Sequence, residues 1–322
     1  MKLVFAGTPE FARVALEALH QAGHEIALVL TQPDRPAGRG MKLQPSAVKA
    51  FAQAHGLAVS QPRSLRLDGR YPDDARQARN ELMQCRPEAM IVAAYGLILP
   101  QWVLDLPDRG CLNIHASVLP RWRGAAPIHR AIESGDALTG VTLMQMNAGL
   151  DTGDVWMTQT TPIGPFETTG QLHDRLAQMG ADMMVSLLPR LDCMLAQPQI
   201  EQGVTYAHKI EKAESWLSWP QPALALARKL RAFDPFPGGA AQLGGTALKI
   251  WAGQAMPLPD ERPQHHRPGT VLAVSDMGID VMTGEGVLRL TQLQRPGGKR
   301  LSCAEFLRGH PIAVGAVFEA TA

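Results

Sequence analysis

A chain of 322 residues is too long for one ordinary core, so two domains are expected, and a hydrophobic content of 45% excludes long disorder. The formal net charge of +1 carries no global signal for nucleic acid, so any such signal has to be local. Four cysteines, at positions 85, 111, 193 and 303, have neither CxxC nor other metal spacing, which argues against a disulfide framework and for a reducing compartment.

Gly7-Thr8-Pro9-Glu10 interrupts the first apolar run too early for a signal peptide, and no apolar stretch reaches the ~20 residues of a membrane-spanning helix. A cytoplasmic protein is the simplest expectation. Residues 2–6 read as a buried strand. Thr8 is expected to cap a following helix with Pro9 at its first position and Phe11, Val14, Ala15, Ala18 and Leu19 on one face. Gly23 ends that helix and residues 25–31 form a second strand. Strand, helix, strand with short connections predicts a doubly wound, Rossmann-like parallel sheet. The turn after Ala6 lacks the glycines of a dinucleotide fingerprint.

Residues 31–43 hold two prolines, two glycines, three basic residues and one acid, with little to bury. They read either as a solvated loop or as a basic lid suited to phosphate. Ser46 caps a helix running to about residue 56, and residues 57–62 form a short strand. Residues 63–88 are rich in Arg and Asp and have a weak helical period. Residues 88–100 then give a strong buried strand and the turn Tyr95-Gly96, after which Leu97, Ile98 and Leu99 are core or the wall of a pocket.

The stretch Cys111–Asp154 holds the candidate chemistry. An apolar run delivers Asn113 and His115 on one face of a strand. A basic turn, a short helix and a second β-like run, Val141–Met146, lead to a polar loop containing Asp151. In open α/β sheets ligands bind at the carboxyl ends of strands, and Asn113, His115 and Asp151 are read as sitting at neighbouring strand ends. An amide, an imidazole and a carboxylate there suit attack of an amine on an activated carbonyl. Asn113 would donate to the oxygen as it becomes anionic. His115 would stabilise that oxygen or protonate the leaving group. Asp151 would hold His115 or take the proton of the amine. No nucleophile elbow is present, and Cys111 reads as a core residue.

Residues 156–163 read as another strand, suited to a sheet edge. A helix follows with Leu172, Leu176, Met179, Met183, Met184 and Leu187 at core spacing. The pattern loosens near Gln197–Gly203, and residues 221–232 form one more helix. Beyond about residue 235 short strands alternate with Gly, Pro and Asp turns, which predicts a small β-barrel or sandwich. Lys plus Arg minus Asp plus Glu is −2 for residues 1–208 and +3 for 209–322, where the basic residues include Arg295, Lys299 and Arg300. Such a barrel is compatible with holding a nucleic acid by its phosphates.

Asn113-Ile114-His115, Ser117-Val118-Leu119-Pro120-Arg121-Trp122-Arg123-Gly124-Ala125-Ala126-Pro127-Ile128 and Gly149-Leu150-Asp151-Thr152-Gly153 resemble the signature of the folate-dependent formyltransferases. Phe5–Pro9, Gln32–Gly40, Ala94–Pro100 and a β-rich region after Phe233 extend the resemblance to nearly the whole chain and to the tRNA-acting branch of that family. It implies transfer of a formyl group from 10-formyltetrahydrofolate to the α-amino group of methionine on initiator Met-tRNA. It also implies Asn113, His115 and Asp151 as the catalytic trio and Ser117, Val118, Leu119 and Pro120 as folate contacts, to which we add Tyr95, Leu97, Ile98 and Leu99. Arg35, Arg39 and Lys42 of the basic loop would meet the tRNA, with Lys299 and Arg300 on an OB-like C-terminal barrel. The expected organisation is a catalytic domain over 1–208, a linker at about 196–215 and a tRNA-binding domain over 209–322, in a monomer without metal or membrane contact. The same folate chemistry on a small amine, an amino-sugar nucleotide or glycinamide ribotide, is the alternative. Residues 63–86 are longer and more Arg-rich than the family leads one to expect, Val118 stands where leucine is usual, and Gly238-Gly239 stands where bulkier residues are usual.

Overall fold

The computed structural model describes residues 1–37, 42–258 and 267–319. Arg39, named above as a tRNA contact, lies outside them. The chain divides into two compact units, Met1–Pro127 with Leu138–Pro162 and His173–Ala207, and Ile128–Ala137 with Ile163–Leu172 and His208–Ala322. No helix among the described residues is long and apolar enough to cross a membrane.

In chain order the elements begin with β1 (Lys2–Gly7), α1 (Glu10–Gln21), β2 (Glu25–Leu30), β3 (Arg35–Ala37), β4 (Lys42–Gln44), α2 (Ala47–Ala54), β5 (Val59–Ser60), α3 (Pro72–Cys85) and β6 (Ala89–Ala93). They continue with α4 (Gln101–Leu104), β7 (Cys111–His115), β8 (Arg123–Gly124), α5 (Pro127–Ser134), β9 (Leu138–Gln145), β10 (Val155–Pro162), α6 (Thr169–Leu187) and β11 (Tyr206–Ala207). The main sheet of the first unit has the order β10-β9-β7-β6-β1-β2-β5. β6 and β7 are buried at every residue, which is why they read as unbroken apolar runs rather than alternating ones. Five strands are parallel, as the βα rhythm predicts. β9 runs antiparallel to β7, and β10 antiparallel to β9, so the sheet is mixed at one edge. A Cβ on Gly180 of α6 would meet Ile114 Cγ2 at 2.5 Å and Val141 Cγ1 at 3.4 Å, so glycine lets the helix lie close on β7 and β9.

Two local expectations change. Thr8 does not cap α1: Pro9 is the capping residue and makes no side-chain bond, while Thr8 Oγ1 donates to the Tyr95 carbonyl at 3.0 Å. A longer-range partner has taken the hydroxyl. The basic loop is not irregular at its base, because β3 and β4 pair as a hairpin with Arg35 opposite Gln44. Its entry is pinned by Asp34, which accepts from Lys49 Nζ at 2.7 Å and Gln61 Nε2 at 2.8 Å. Those two donors, Lys49 first, hold the Asp34 carboxyl below its usual range. Ser46 caps α2 as expected, accepting from the Lys49 N–H at 3.0 Å.

Three arginines of the Arg-rich segment are paired within it. Arg63 forks onto Asp74 and lies 4.2 Å from the Tyr71 ring centroid, Arg66 pairs with Asp68, and Arg76 with Asp73. All four cysteines are free. Burial pushes the Cys111 thiol up to about 12 and Cys303 up to about 11, whereas Cys193 is exposed. Iodoacetamide at pH 8 is therefore expected to alkylate Cys193 first, with Cys111 and Cys303 unreacted until denaturant is added. Peptide mass mapping over time checks this, and early modification of Cys111 would contradict the packing of β7.

The second unit contains α7 (Ala223–Ala232), β12 (Gly239–Leu243), β13 (Thr246–Met256), β14 (Val271–Ser275), β15 (Gly278–Met282), β16 (Val287–Gln294), β17 (Leu301–Ser302), α8 (Cys303–Gly309) and β18 (Phe318–Glu319). Its antiparallel sheet has the order β14-β15-β16-β13-β12-β18, with β17 on β16, and a bridge between Thr270 and Val317 joins its two ends. α7 buries Ala223, Leu226, Ala227 and Leu230, the three-and-four spacing of an amphipathic helix, in a core with Trp219, Ile250, Leu290, Phe306 and Phe318. The result is a curled OB-like sheet with a helix on its core.

Candidate active site

Asn113 and His115 project from β7, the strand at which the sheet changes from parallel to antiparallel pairing. They are 8% and 5% exposed. Among the described residues nothing hydrogen-bonds the Asn113 amide, so a buried, polar N–H₂ and carbonyl stand ready without a partner. His115 Nε2 lies 2.9 Å from the Trp122 carbonyl. A carbonyl only accepts, so Nε2 carries hydrogen and Nδ1 is the nitrogen left facing Asp151, at 3.7 Å from Oδ2.

Asp151 reaches that position by an unexpected route. Because β9 is antiparallel to β7, it ends beside the start of β7, with the Met146 N–H donating to the Cys111 carbonyl at 2.8 Å. The loop after β9 then folds back to place its carboxylate beside His115, at the other end of β7. Asp151 does follow the end of β9, and the antiparallel direction of that strand is what requires the loop to fold back. Several bonds hold the loop in this course. Asn147 Oδ1 accepts from the Gly149 N–H and the Thr152 hydroxyl, an Asx turn. Asp151 itself takes a left-handed φ of 50°. Asp151 Oδ2 accepts from the Gly124 N–H at 2.7 Å. Oδ1 accepts from no described residue and is the free oxygen of the carboxylate.

Residues read from sequence as a slackening linker brace the same loop. Gln199 Nε2 donates to the carbonyls of Asp151 at 2.9 Å and Gly153 at 2.8 Å, while Arg123 donates to Gln199 Oε1. Thr205 Oγ1 receives the Trp122 N–H at 2.9 Å, and β11 pairs with β8. The carbonyl that orients His115 and the N–H that holds Asp151 thus belong to one turn, Trp122–Gly124, fixed from behind by residues some 80 positions away. Gln199 and Thr205 carried no local signal in the sequence, since their roles depend on contacts distant along the chain.

Thr142 was also invisible to sequence reading. Directly opposite His115 on β9 and fully buried, it donates to the Ser117 carbonyl at 2.7 Å and accepts the Leu119 N–H at 3.1 Å. Thr142→Val strands both groups, so a loss of ~2–5 kcal/mol in stability is expected. Urea titration measures it, and a loss under ~0.5 kcal/mol would show that water satisfies the turn instead.

The expected ligand-contact residues divide by burial. Ser117 is fully buried and donates from Oγ to the Arg121 carbonyl, so its side chain braces the turn and has no surface to offer a ligand. Val118 and Pro120 are half-buried and Leu119 is 8% exposed. Tyr95 and Leu99 belong to the hydrophobic core, with Leu97 packed against it, whereas Ile98 is 76% exposed. Burial pushes the Tyr95 phenol above its ordinary value, and its hydroxyl has no partner among the described residues. The Tyr95 carbonyl is held by both Thr8 and Gln32, which fixes the turn carrying these residues. Of the expected tRNA contacts, Arg35 and Lys42 flank the hairpin and are exposed, with Arg35 donating to Gln32. In the second unit Lys299 is exposed and Arg300 is forked onto Asp234. No cluster of His, Cys, Asp or Glu able to hold a metal occurs among the described residues.

An unpaired amide, an oriented imidazole and a carboxylate with one free oxygen can polarise a carbonyl and accept a proton. The pattern of the formyl transferase family matches residues 1–188, and that of the formyl transferase C-terminal domain matches residues 209–311. The chain belongs to the formyl transferase family. Its site sits on the family's N-terminal portion. This formyl transferase is 62% identical over 321 residues to the methionyl-tRNA formyltransferase of Albidiferax ferrireducens, covering 99% of each chain. Among solved structures it is similar to HypX from Aquifex aeolicus in complex with tetrahydrofolic acid (TM-score 0.63, 19% identity, 95% of this chain), of which it spans 47%. It is also similar to the methionyl-tRNA formyltransferase from Clostridium thermocellum (TM-score 0.53, 14% identity), over 79% of this chain and 93% of that one. The two structural likenesses extend the agreement to the fold.

Proposed function

We propose that this formyl transferase moves the formyl group of 10-formyltetrahydrofolate onto the α-amino group of methionine carried by initiator Met-tRNA, giving formylmethionyl-tRNA for translation initiation. The observation that carries this reading is the 62% identity, end to end, with a protein named methionyl-tRNA formyltransferase. That identity does not favour the alternative acceptors, an amino-sugar nucleotide or glycinamide ribotide.

In this reading the Asn113 amide donates to the formyl oxygen as negative charge develops on it, an interaction worth ~3 kcal/mol in comparable sites. Asp151 Oδ1 receives the proton of the attacking amine, while Oδ2 stays tied to the Gly124 N–H. His115, held through Nε2 by the Trp122 carbonyl, turns its acceptor Nδ1 toward Asp151 and relays that proton to folate N10 as the bond between N10 and the formyl carbon breaks, so tetrahydrofolate leaves neutral. The mechanism forms no covalent enzyme intermediate. The free Asn113 amide and the apolar surface of Ile98, Val118, Leu119 and Pro120 fit a folate carrying a formyl carbonyl, with Tyr95, Leu97 and Leu99 supporting that wall and Ser117 bracing it.

Residues 1–208 act as the catalytic domain and 209–322 as the tRNA-binding domain, joined at about 196–215, in a cytoplasmic monomer. Arg35, Arg39, Lys42 and Lys299 supply charge for phosphates, and Arg300, offset by Asp234, contributes less. The test is incubation of the protein with 10-formyltetrahydrofolate and methionine-charged initiator tRNA, with an amino-sugar nucleotide and glycinamide ribotide as parallel acceptors. Formyl-methionine appearing on the tRNA, and no formylation of the small amines, is the expected result; the reverse pattern would overturn it.

A further inference from the structure

A cavity of about 480 Å³ opens in the second unit, lined wholly by residues between 212 and 297 and sharing none with the candidate active site. Its lining combines the half-buried indole of Trp216 and the surface of Pro237 and Gly238 with three cations, Lys212, Lys249 and Arg295, and contains no carboxylate. None of the three is in an ion pair among the described residues, whereas Arg289 and Arg300 of the same unit are forked onto Asp280 and Asp234. All three are exposed at the rim of an apolar hollow, so their charge is solvated and open to an incoming anion.

The walls are built rather than loose. The Trp216 carbonyl accepts from Lys229 Nζ at 3.1 Å, and Trp216 bridges to Ala240. Lys249 Nζ donates to the Pro237 carbonyl at 2.9 Å and lies 4.9 Å from the Trp251 ring centroid, so the ammonium is aimed, not swinging. Arg295 Nη1 is 3.0 Å from His310 Nε2. Gly238 has a left-handed φ of 77°, and a Cβ there would lie 3.0 Å from two Trp251 ring carbons. Gly238, half of the Gly238-Gly239 departure from the family pattern, thus keeps one wall free of a side chain and lets the chain cross the indole.

A flat apolar surface with an aromatic ring and several unpaired cations suits a ligand that is itself flat, aromatic and anionic, and the volume is within the ~300–1,000 Å³ of small-molecule sites. We propose that this cavity binds a nucleotide, with the base against Trp216 and the phosphate met by Lys212, Lys249 and Arg295. The nucleotide is either an unpaired residue of an RNA strand or a free mononucleotide. Only the first source rests on the reading of the substrate as tRNA.

The full chain is titrated with a labelled oligoadenylate hexamer by fluorescence anisotropy and with AMP by calorimetry. Trp216→Ala is expected to weaken the hexamer by ~10-fold or more, Trp216→Phe by no more than ~3-fold, and exposed Lys212→Glu by ~10-fold. Should Trp216→Ala fail to fold by circular dichroism, Trp216→Leu keeps apolar volume without an aromatic face and is read in its place. Loss of the hexamer and AMP together assigns the site to nucleotides in general, and loss of the hexamer alone assigns it to an RNA strand. If neither ligand responds to loss of the aromatic face, or only Lys212→Glu has an effect, the site is a plain basic patch and the proposal is overturned. The formyl-transfer assay on the same preparations separates the two readings. Formylation with unchanged nucleotide binding in Trp216→Ala sinks the cavity alone, and nucleotide binding without formylation sinks the substrate reading alone.

Discussion

Asp151→Asn is expected to lower kcat for formyl transfer by ~10³-fold while the Kd for Met-tRNA stays within ~2-fold, the scale seen when a positioned base is removed. Asparagine keeps the size of the side chain, and its carbonyl oxygen can still accept from the Gly124 N–H at the place of Oδ2. The loop should therefore hold its course, because Gln199 grips its backbone carbonyls rather than the carboxylate. What disappears is the free oxygen able to take a proton and the negative charge 3.7 Å from His115 Nδ1. Single-turnover formylation, alongside filter binding of the charged tRNA, separates chemistry from binding. A variant retaining more than about a tenth of wild-type kcat would remove Asp151 as the base and leave it a structural latch on the Trp122–Gly124 turn.

Asn113→Ala carries a distinctive pair of outcomes. Loss of one donor to a developing oxyanion is expected to reduce kcat by ~10²–10³-fold. Stability, in contrast, should not fall as it does for most buried polar residues, because among the described residues the amide has no partner to strand. Removing an amide that bonds to no described residue should leave the unfolding midpoint close to wild type. A residue kept for packing or for a hydrogen bond would show the opposite combination, with destabilisation and little effect on rate. Parallel measurement of kcat and of the urea midpoint decides between them. A fall of more than ~1 kcal/mol in stability would mean that water or a neighbouring group satisfies the amide before any ligand arrives.

Much of this chain was legible from its residues. The unbroken apolar runs of β1, β6 and β7 announce strands covered on both faces, and Ser46 announces the start of α2 through a contact only three residues away. The core face of α6 and the change to short strands after residue 235 follow from periodicities that a local window contains. Asn113 and His115 stood out because two polar side chains on one face of a buried strand need a reason to be there. These features depend on neighbours in sequence, so sequence by itself determined them.

Tertiary structure decided the rest, and the geometry of Asp151 shows why. Spacing puts Asp151 in a loop just past the end of the run that follows His115 but says nothing of that strand's direction. Pairing of β9 in the opposite direction puts the start of that loop at the far end, and only its folding back brings the carboxylate to His115. Strand direction depends on which partner a strand finds, a contact more than twenty residues away that no local pattern encodes. The same holds for Thr8, drawn from its helix to the Tyr95 carbonyl 87 residues on, and for Gln199 and Thr205, which brace the site from a segment with no regular pattern. Sequence determined which polar groups are available for chemistry; the long-range pairing of buried backbone, which must satisfy every N–H and C=O it hides, determined where they meet.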